Sequence, residues 1–544
     1  MSMIREIQTQ PFDDQKPGTS GLRKRALVFE QTNYAENFIQ SIFACAGTGE
    51  GKPLIVGGDG RYLNREVIGK VLAIAAGNGV THVMLGQGGI LSTPAASNLI
   101  RKYGAFGGII LSASHNPGGP EGDFGIKFNS ANGGPANERL TGEIFEYSKS
   151  ITTYRKAEID LPDIDRTGSY DLAGMRLEII DPVADYAELM EEIFDFGAIR
   201  SLFSSGFSFV FDAMHAVTGP YALEIFANRL GVDPKAIRNA IPKEDFGGGH
   251  PDPNLIHARW LAEVMFDADA PDLGAASDGD GDRNLILGKG MFVNPSDSLA
   301  ILAANAYLAP RYRGGIAGIA RSMPTSAAAD RVAEGLGVPL YETPTGWKFF
   351  GNLLDEGRVT ICGEESAGTG SDHVREKDGL WAILLWLNIL AERRVSVQQI
   401  VADHWNRFGR NFYARHDFEG LEAEQAQALL IALQGSLPEL RGRSIGGLVV
   451  TGAESFSYHD PVDGSVSENQ GIIVRIDGDR RIVYRLSGTG TSGATLRMYL
   501  DRWENDALLF NEEPGAALAE LALAGAEIAQ IEKHTGRTVP SVIT

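Results

Sequence analysis

The stretch Gly108-Ile109-Ile110-Leu111-Ser112-Ala113-Ser114-His115-Asn116-Pro117-Gly118-Gly119 combines a short apolar run with a loop of small, polar residues. Residues 108–111 have the composition of a buried strand, and Pro117 disfavours a helical backbone at Asn116, so the chain leaves the strand through a tight turn. That pattern predicts a sheet whose strands are buried and whose chemistry sits at their carboxyl ends.

The same pattern recurs on both sides. Residues 54–57, 82–85, 207–211 and 359–362 are apolar runs followed by small residues, and residues 63–76, 298–309 and 380–393 have the length and apolar spacing of helices. The first 400 or so residues therefore read as repeated α/β units with parallel or mixed sheets. Residues 471–477, a Gly478-Asp479 turn and residues 480–486 read as an antiparallel hairpin, and residues 516–534 as a helix, which predicts an α+β unit at the end. With 544 residues the chain is too long for one core, and domain limits are expected at 1–190, 191–305, 306–405 and 406–544. No fixed-period repeat is visible.

Composition narrows the class. Lysine and arginine total 49 against 70 aspartate and glutamate, a net charge of −21, which argues against nucleic acid or an anionic membrane as partner. An anionic substrate needs a locally basic pocket. There are only two cysteines, Cys45 and Cys362, and residues 1–12 lack a secretory pattern, so the expected compartment is the cytoplasm. Oligomeric state is not readable.

Four segments carry chemistry. On the opening loop Ser114 is displayed as a nucleophile or is simply part of a turn, and His115 is its neighbour in sequence. Asp278-Gly279-Asp280-Gly281-Asp282-Arg283 places three carboxylates at alternate positions, so that in an extended segment they share a face and can hold one hard cation, Mg²⁺ above all, or else form a metal-free acidic turn in which three close carboxylates repel one another. A Ca²⁺-binding EF-hand loop is excluded because its sixth and twelfth positions are Arg283 and Lys289. Gly363-Glu364-Glu365-Ser366-Ala367-Gly368 offers carboxylates and a hydroxyl to sugar hydroxyls, or is an ordinary acidic loop.

The fourth segment, Arg485-Leu486-Ser487-Gly488-Thr489-Gly490-Thr491-Ser492-Gly493 with Arg497, is either a phosphate nest or a glycine-rich connection. Its formal dinucleotide fingerprint is a false match, because too little chain follows for a mononucleotide fold. Smaller pieces, Thr19-Ser20-Gly21-Leu22-Arg23-Lys24, Gly125-Ile126-Lys127-Phe128, Thr343-Pro344-Thr345-Gly346-Trp347-Lys348 and Arg375-Glu376-Lys377-Asp378-Gly379, each set a cation beside glycine. No Gly-x-x-x-x-Gly-Lys-[Ser/Thr] sequence is present, which argues against ATP-dependent phosphoryl transfer.

Ser-His-Asn-Pro-Gly-Gly, Asp-Gly-Asp-Gly-Asp-Arg, Gly-Glu-Glu-Ser and Arg-Leu-Ser-Gly-Thr-Gly, in this order across nearly the whole chain, resemble the α-D-phosphohexomutase superfamily; Thr19–Lys24 and Thr345-Gly346-Trp347 resemble its glucose-phosphate branch. The resemblance implies four domains around a central cleft, three related α/β domains plus a C-terminal α+β phosphate-binding domain. It implies reversible conversion of α-D-glucose 1-phosphate to D-glucose 6-phosphate through a phosphoserine at Ser114 and a glucose 1,6-bisphosphate intermediate that also acts as activator.

By the same resemblance Asp278, Asp280 and Asp282 hold Mg²⁺ together with a phosphoserine oxygen of Ser114. Glu364 and Ser366 contact sugar hydroxyls; Arg485, Ser487, Thr489 and Arg497 clamp the phosphate that is not reacting; and Thr345 and Gly346 read sugar orientation. Arg23, His115, Lys127, Arg283 and Lys377 match cationic and acid-base positions, with Lys127, His115 and Lys377 all candidates for the general base. Ser112 stands where threonine is common and Ala367 where relatives carry an aromatic residue. A mannose-phosphate mutase or a bisphosphate synthase would share this chemistry. A noncatalytic scaffold would share only the fold, and the intact motifs argue against it.

Overall fold

A computed structural model describes residues 4–18, 20–487 and 493–544. The first sheet runs, edge to edge, through Leu22–Arg25, Asp123–Ser130, Gly107–Leu111, Leu54–Gly58, His82–Ile90, Met175–Ile180 and Gly168–Leu172. Its middle strands are parallel to one another, and Gly107–Leu111 and Leu54–Gly58 are buried at every residue, as strands covered on both faces must be. The helix Asn64–Asn78 covers the sheet, longer than residues 63–76 by a turn fraction at its end.

The next two sheets repeat one plan at smaller size. In the second, Phe209–Asp212 lies between Ile237–Arg238 and Leu273–Ser277 in parallel, and Leu273–Ser277 then turns back antiparallel into Asn284–Gly288. In the third, Ile319–Ser322 lies between Leu340–Thr343 and Ile361–Glu364 in parallel, and Ile361–Glu364 turns back into Gly368–Ser371. The first sheet does the same where Gly107–Leu111 turns back into Asp123–Ser130. The three reversals, residues 112–122, 278–283 and 365–367, are the loops that hold the serine, aspartate and glutamate motifs. A shared plan is therefore present although no period shows in the sequence, because the units agree in strand direction and not in residue identity.

The fourth sheet is antiparallel throughout and is built from Ser444–Ile445, Leu448–Ser455, Ile472–Ile476, Arg480–Ser487, Ala494–Glu504, Arg410–Leu421 and Val542–Ile543. The expected hairpin closes with Ile476 opposite Arg480, so that Asp477, Gly478 and Asp479 make a three-residue turn, and Gly478 and Asp479 both have positive φ. Two helices are shorter than their sequence patterns. Pro295–Asn305 gives way to a 3₁₀ turn at Ala306–Leu308, and the terminal helix breaks at Gln530, φ 47°, into Pro514–Ile528 and Ile531–Thr535.

One hydrophobic cluster runs from Ile55 to Val401 and joins the three α/β units. It encloses Gly379–Arg393, a helix buried over its first thirteen residues. The antiparallel unit has its own cluster, Phe412 to Ile531, and meets the third unit through Met323, Ile473, Val483 and Tyr499. Polar contacts complete that boundary: Arg481 reaches Glu342 at 3.0 Å, and the Tyr413 hydroxyl donates to the Pro324 carbonyl at 2.8 Å. Among the described residues no helix is long and apolar enough to cross a membrane.

Candidate active site

Ser114 sits on the first reversal with φ 52°, left-handed backbone that costs a residue with a Cβ and is held there by its surroundings. Its N–H donates to Ser112 Oγ at 2.7 Å, and Ser112 Oγ donates to Asp59 at 2.6 Å. Arg61, fully buried, pairs with Asp59 and donates to the carbonyls of Ser114 at 2.7 Å and Asp123 at 2.9 Å. One guanidinium thus ties both ends of the serine loop. Gly125 fits the same loop closely, since a Cβ there would lie 2.3 Å from the Ser112 carbonyl.

The Ser114 hydroxyl donates to Asp278 Oδ2 at 2.8 Å, while Asp278 Oδ1 accepts the N–H groups of Asp282 at 2.9 Å and Arg283 at 3.0 Å. One oxygen each of Asp278, Asp280 and Asp282 lies within 4.8 Å of the others. An extended segment would space alternate residues about 6.6 Å apart. The convergence is instead made by a turn, with Gly281 at φ 83°. The expectation of an extended aspartate face is corrected accordingly: the glycines between the aspartates fold the segment. Thr93 Oγ1 donates to Asp280 Oδ2 at 2.7 Å, and Lys127 forms an ion pair with the same oxygen.

Burial, then the charges of Asp282 and Asp280, push the Asp278 carboxyl well above its usual range. Burial acts the same way on Asp280, but the Lys127 ammonium and the hydrogen bonds from Lys127 and Thr93 outweigh it and hold Asp280 well below. The second oxygens of Asp280 and Asp282 are buried without a hydrogen-bond partner. Buried bare carboxylate oxygens beside two neighbouring carboxylates fit a hard divalent cation and little else.

The cations surround this centre. Arg23 and Lys127 lie on neighbouring strands, Arg23 opposite Gly125. Lys377 Nζ is 3.4 Å from Asp282 and 3.9 Å from Glu364. Arg283 reaches Asp252 at 3.4 Å. Despite burial, Asp280 and Asp282 raise the Lys127 ammonium above its ordinary range. His115 is pushed well below the ordinary imidazole range by burial and then by Arg283, Arg23, Lys377 and His250, so its ring is neutral at pH 7.

Glu364 Oε1 accepts the Gly346 N–H at 2.9 Å, bringing the Thr345-Gly346 loop to the glutamate motif, and Thr345 Oγ1 is buried without a partner. Ser366 is half-buried on the same reversal. Glu365 turns away: its N–H donates to Thr325 Oγ1 at 2.9 Å and its carboxylate accepts from Ser322 at 3.2 Å. The adjacent glutamates therefore do not act as a pair, because successive side chains point to opposite sides of the strand end. On the antiparallel unit Arg485 lies directly opposite Arg497, and Ser487 opposite Thr495. Two like charges opposite each other on one sheet face repel, and a bound anion relieves that. Thr489 lies outside the described residues.

Asp59, Arg61, Thr93 and Asp252 are absent from the sequence reading of the site. A faint signal existed in Gly58-Asp59-Gly60-Arg61, which leaves a strand as the other motifs do, but the partners of Arg61 and Thr93 are 53 and 187 residues away.

An enzyme with this α/β triplet and an added antiparallel unit belongs to a class that its sequence relatives define. Residues 14–155, 184–290 and 295–408 match the models of phosphoglucomutase/phosphomannomutase α/β/α domains I, II and III, and residues 410–541 match the phosphoglucomutase-1 C-terminal domain. The chain belongs to the phosphoglucomutase/phosphomannomutase family, whose members are isomerases acting by phosphoryl transfer. It is 61% identical over 542 residues to a phosphoglucomutase of Rhizobium radiobacter and 50% identical over 567 residues to phosphoglucomutase-1 of Oryctolagus cuniculus, covering 100% of each chain. The open-form crystal structure of parafusin, a Paramecium phosphoglucomutase, superposes with a TM-score of 0.93 at 45% identity, covering 99% of both chains.

Proposed function

We infer that this enzyme interconverts α-D-glucose 1-phosphate and D-glucose 6-phosphate, with Ser114 carrying the phosphoryl group and glucose 1,6-bisphosphate as the intermediate. The observation that carries the reading is the contact of Ser114 Oγ with Asp278 at the mouth of three converging aspartates. Full-length relatives at 50–61% identity, all named phosphoglucomutase, support the substrate.

Asp278, Asp280 and Asp282 are the residues that would hold Mg²⁺, which when bound polarises the phosphoryl group and offsets its charge. Ser114 holds the phosphoryl group at the end of the aspartate loop, and the hydrogen bonds its N–H donates to Ser112 and its carbonyl accepts from Arg61 keep its backbone fixed while the group leaves or returns. Lys127, Lys377, Arg23 and Arg283 draw charge toward the equatorial oxygens, so the work is positioning and electrostatics. Of the three candidate bases, Lys127 is held as a cation by Asp280, whereas His115 is already neutral and able to accept the sugar hydroxyl proton.

Glu364 and Ser366 face the sugar hydroxyls, the Thr345-Gly346 loop reads the ring orientation, and Arg485, Ser487, Thr489 and Arg497 hold the distal phosphate. Because either phosphate must be held there, the bisphosphate turns around between two half-reactions. Two free cysteines suit a reducing compartment such as the cytoplasm.

The test is glucose 1-phosphate turnover with Mg²⁺ and a trace of glucose 1,6-bisphosphate, run beside Ser114→Ala. Turnover in the wild type that vanishes in a folded variant supports the reading. Equal turnover in both would overturn the assignment of Ser114, and none in the wild type would overturn the substrate.

A further inference from the structure

A second group of metal-type donors lies against the back of the aspartate loop. One ligand atom each of His250, Asp252 and His257 falls within 4.8 Å of the others. The segment that bears them is His250-Pro251-Asp252-Pro253-Asn254-Leu255-Ile256-His257. Two prolines fix its backbone, and Asn254 Oδ1 accepts the N–H groups of Ile256 at 2.9 Å and His257 at 3.0 Å.

The two imidazoles stack, with ring centroids 4.2 Å apart and planes inclined by 13°, so their in-plane lone pairs run side by side and one ring has to turn for both to reach a single ion. His250 Nδ1 is buried and has no hydrogen-bond partner within the protein, which leaves it open to a ligand. Burial and the neighbouring His257 lower the His250 imidazole from its ordinary range, and the neutral ring is the form that binds metal.

We propose that His250, Asp252 and His257 form a second cation site, selective for a borderline transition metal such as Zn²⁺, whose occupation inhibits the enzyme through Arg283. Two imidazoles and one carboxylate are a Zn²⁺ donor set that Mg²⁺, which prefers an all-oxygen shell, does not favour, so saturation with Mg²⁺ leaves this centre open to Zn²⁺. Four-coordinate Zn²⁺ with bonds near 2.0–2.1 Å sets its donors about 3.3 Å apart. The present spacing therefore has to contract by up to about 1.5 Å, and the exposed His257 side chain is free to turn.

The coupling to the active centre is direct. Asp252 Oδ1 is the carboxylate oxygen that Arg283 reaches at 3.4 Å, and Asp252 Oδ2 accepts from Asn254 at 2.8 Å. The Pro251 carbonyl accepts the Gly279 N–H at 3.2 Å, and the His250 ring lies 6.4 Å from that of His115. A metal on Asp252 withdraws the partner of Arg283 and adds positive charge beside His115. The binding step stands on the donor set alone; its inhibitory effect rests on the phosphotransfer reading.

Metal-stripped enzyme is saturated with Mg²⁺ and titrated calorimetrically with Zn²⁺, with His257→Ala in parallel, and glucose 1-phosphate turnover is read at each point. His257 is exposed, so the variant folds, which circular dichroism checks, and it retains basal turnover. Expected are one Zn²⁺ site weakened at least about tenfold in His257→Ala, unchanged in Asp280→Asn, and a fall in wild-type turnover of about tenfold that the variant resists. Zn²⁺ binding equal in wild type and His257→Ala, or lost in Asp280→Asn, would overturn the site. Binding without inhibition would overturn the coupling. An enzyme inactive on glucose 1-phosphate even without Zn²⁺ would count against the substrate reading, and the calorimetry would still decide the site.

Discussion

The hydroxyl of Ser114 and the carboxylate of Asp278 meet at 2.8 Å although 164 residues separate them, and the other oxygen of Asp278 holds the N–H groups of Asp282 and Arg283. One carboxylate thus joins the serine loop to the metal-type loop and also folds the latter. Asp278→Asn is expected to keep the fold and to lower Mg²⁺ affinity at least about tenfold, since a ligand charge is lost and its amide turns donors toward the site. Calorimetric titration with Mg²⁺ checks it.

Arg61 binds the serine loop from behind. Arg61→Met leaves Asp59 buried without its partner and is expected to cost about 3–5 kcal/mol of stability as well as turnover. Adding Asp59→Asn removes the stranded charge. The double variant should regain much of the urea midpoint and little of the activity, because the carbonyls of Ser114 and Asp123 still lack their donor.

Arg497 faces Arg485 across two strands. Arg497→Met should lower kcat/KM by about ten- to a hundredfold, the worth of a charge-assisted hydrogen bond to phosphate, with most of the change in KM. Steady-state kinetics with glucose 1-phosphate read both constants. A change in kcat alone would contradict the clamp.

Asp297 is buried beside Trp405, whose indole N–H donates to it at 3.2 Å, and burial pushes its carboxyl up to about 7. Between about pH 4 and about pH 7 the folded chain keeps a proton that the unfolded chain releases, so this group lowers stability by about 1.4 kcal/mol per pH unit as pH rises. Asp297→Asn should match the wild type near pH 4 and exceed it at pH 8. Urea denaturation at the two pH values measures the difference.

What the sequence discloses follows from distance along the chain. The serine, aspartate and glutamate motifs are legible because each places its groups on one loop between apolar strands, and the alternation of folded units is legible for the same reason. Arg61 and Thr93 are illegible because their meaning lies in carbonyls and carboxylates that only the tertiary fold brings to them. The aspartate turn reads as an extended segment in the sequence because alternation suits either geometry, and only the positive φ at Gly281 separates them. Glu365 looked equivalent to Glu364 until strand direction sent it into the boundary with the antiparallel unit.

On the proposed reading, the three reversals that follow the parallel strands each deliver one chemical function and no more: a nucleophile, a set of carboxylates, a sugar contact. None of the units holds a complete reaction centre. Severed pieces of this polypeptide should be individually inert, and activity should return only when cut segments reassociate with every boundary intact, so the smallest working catalyst is the entire assembled chain.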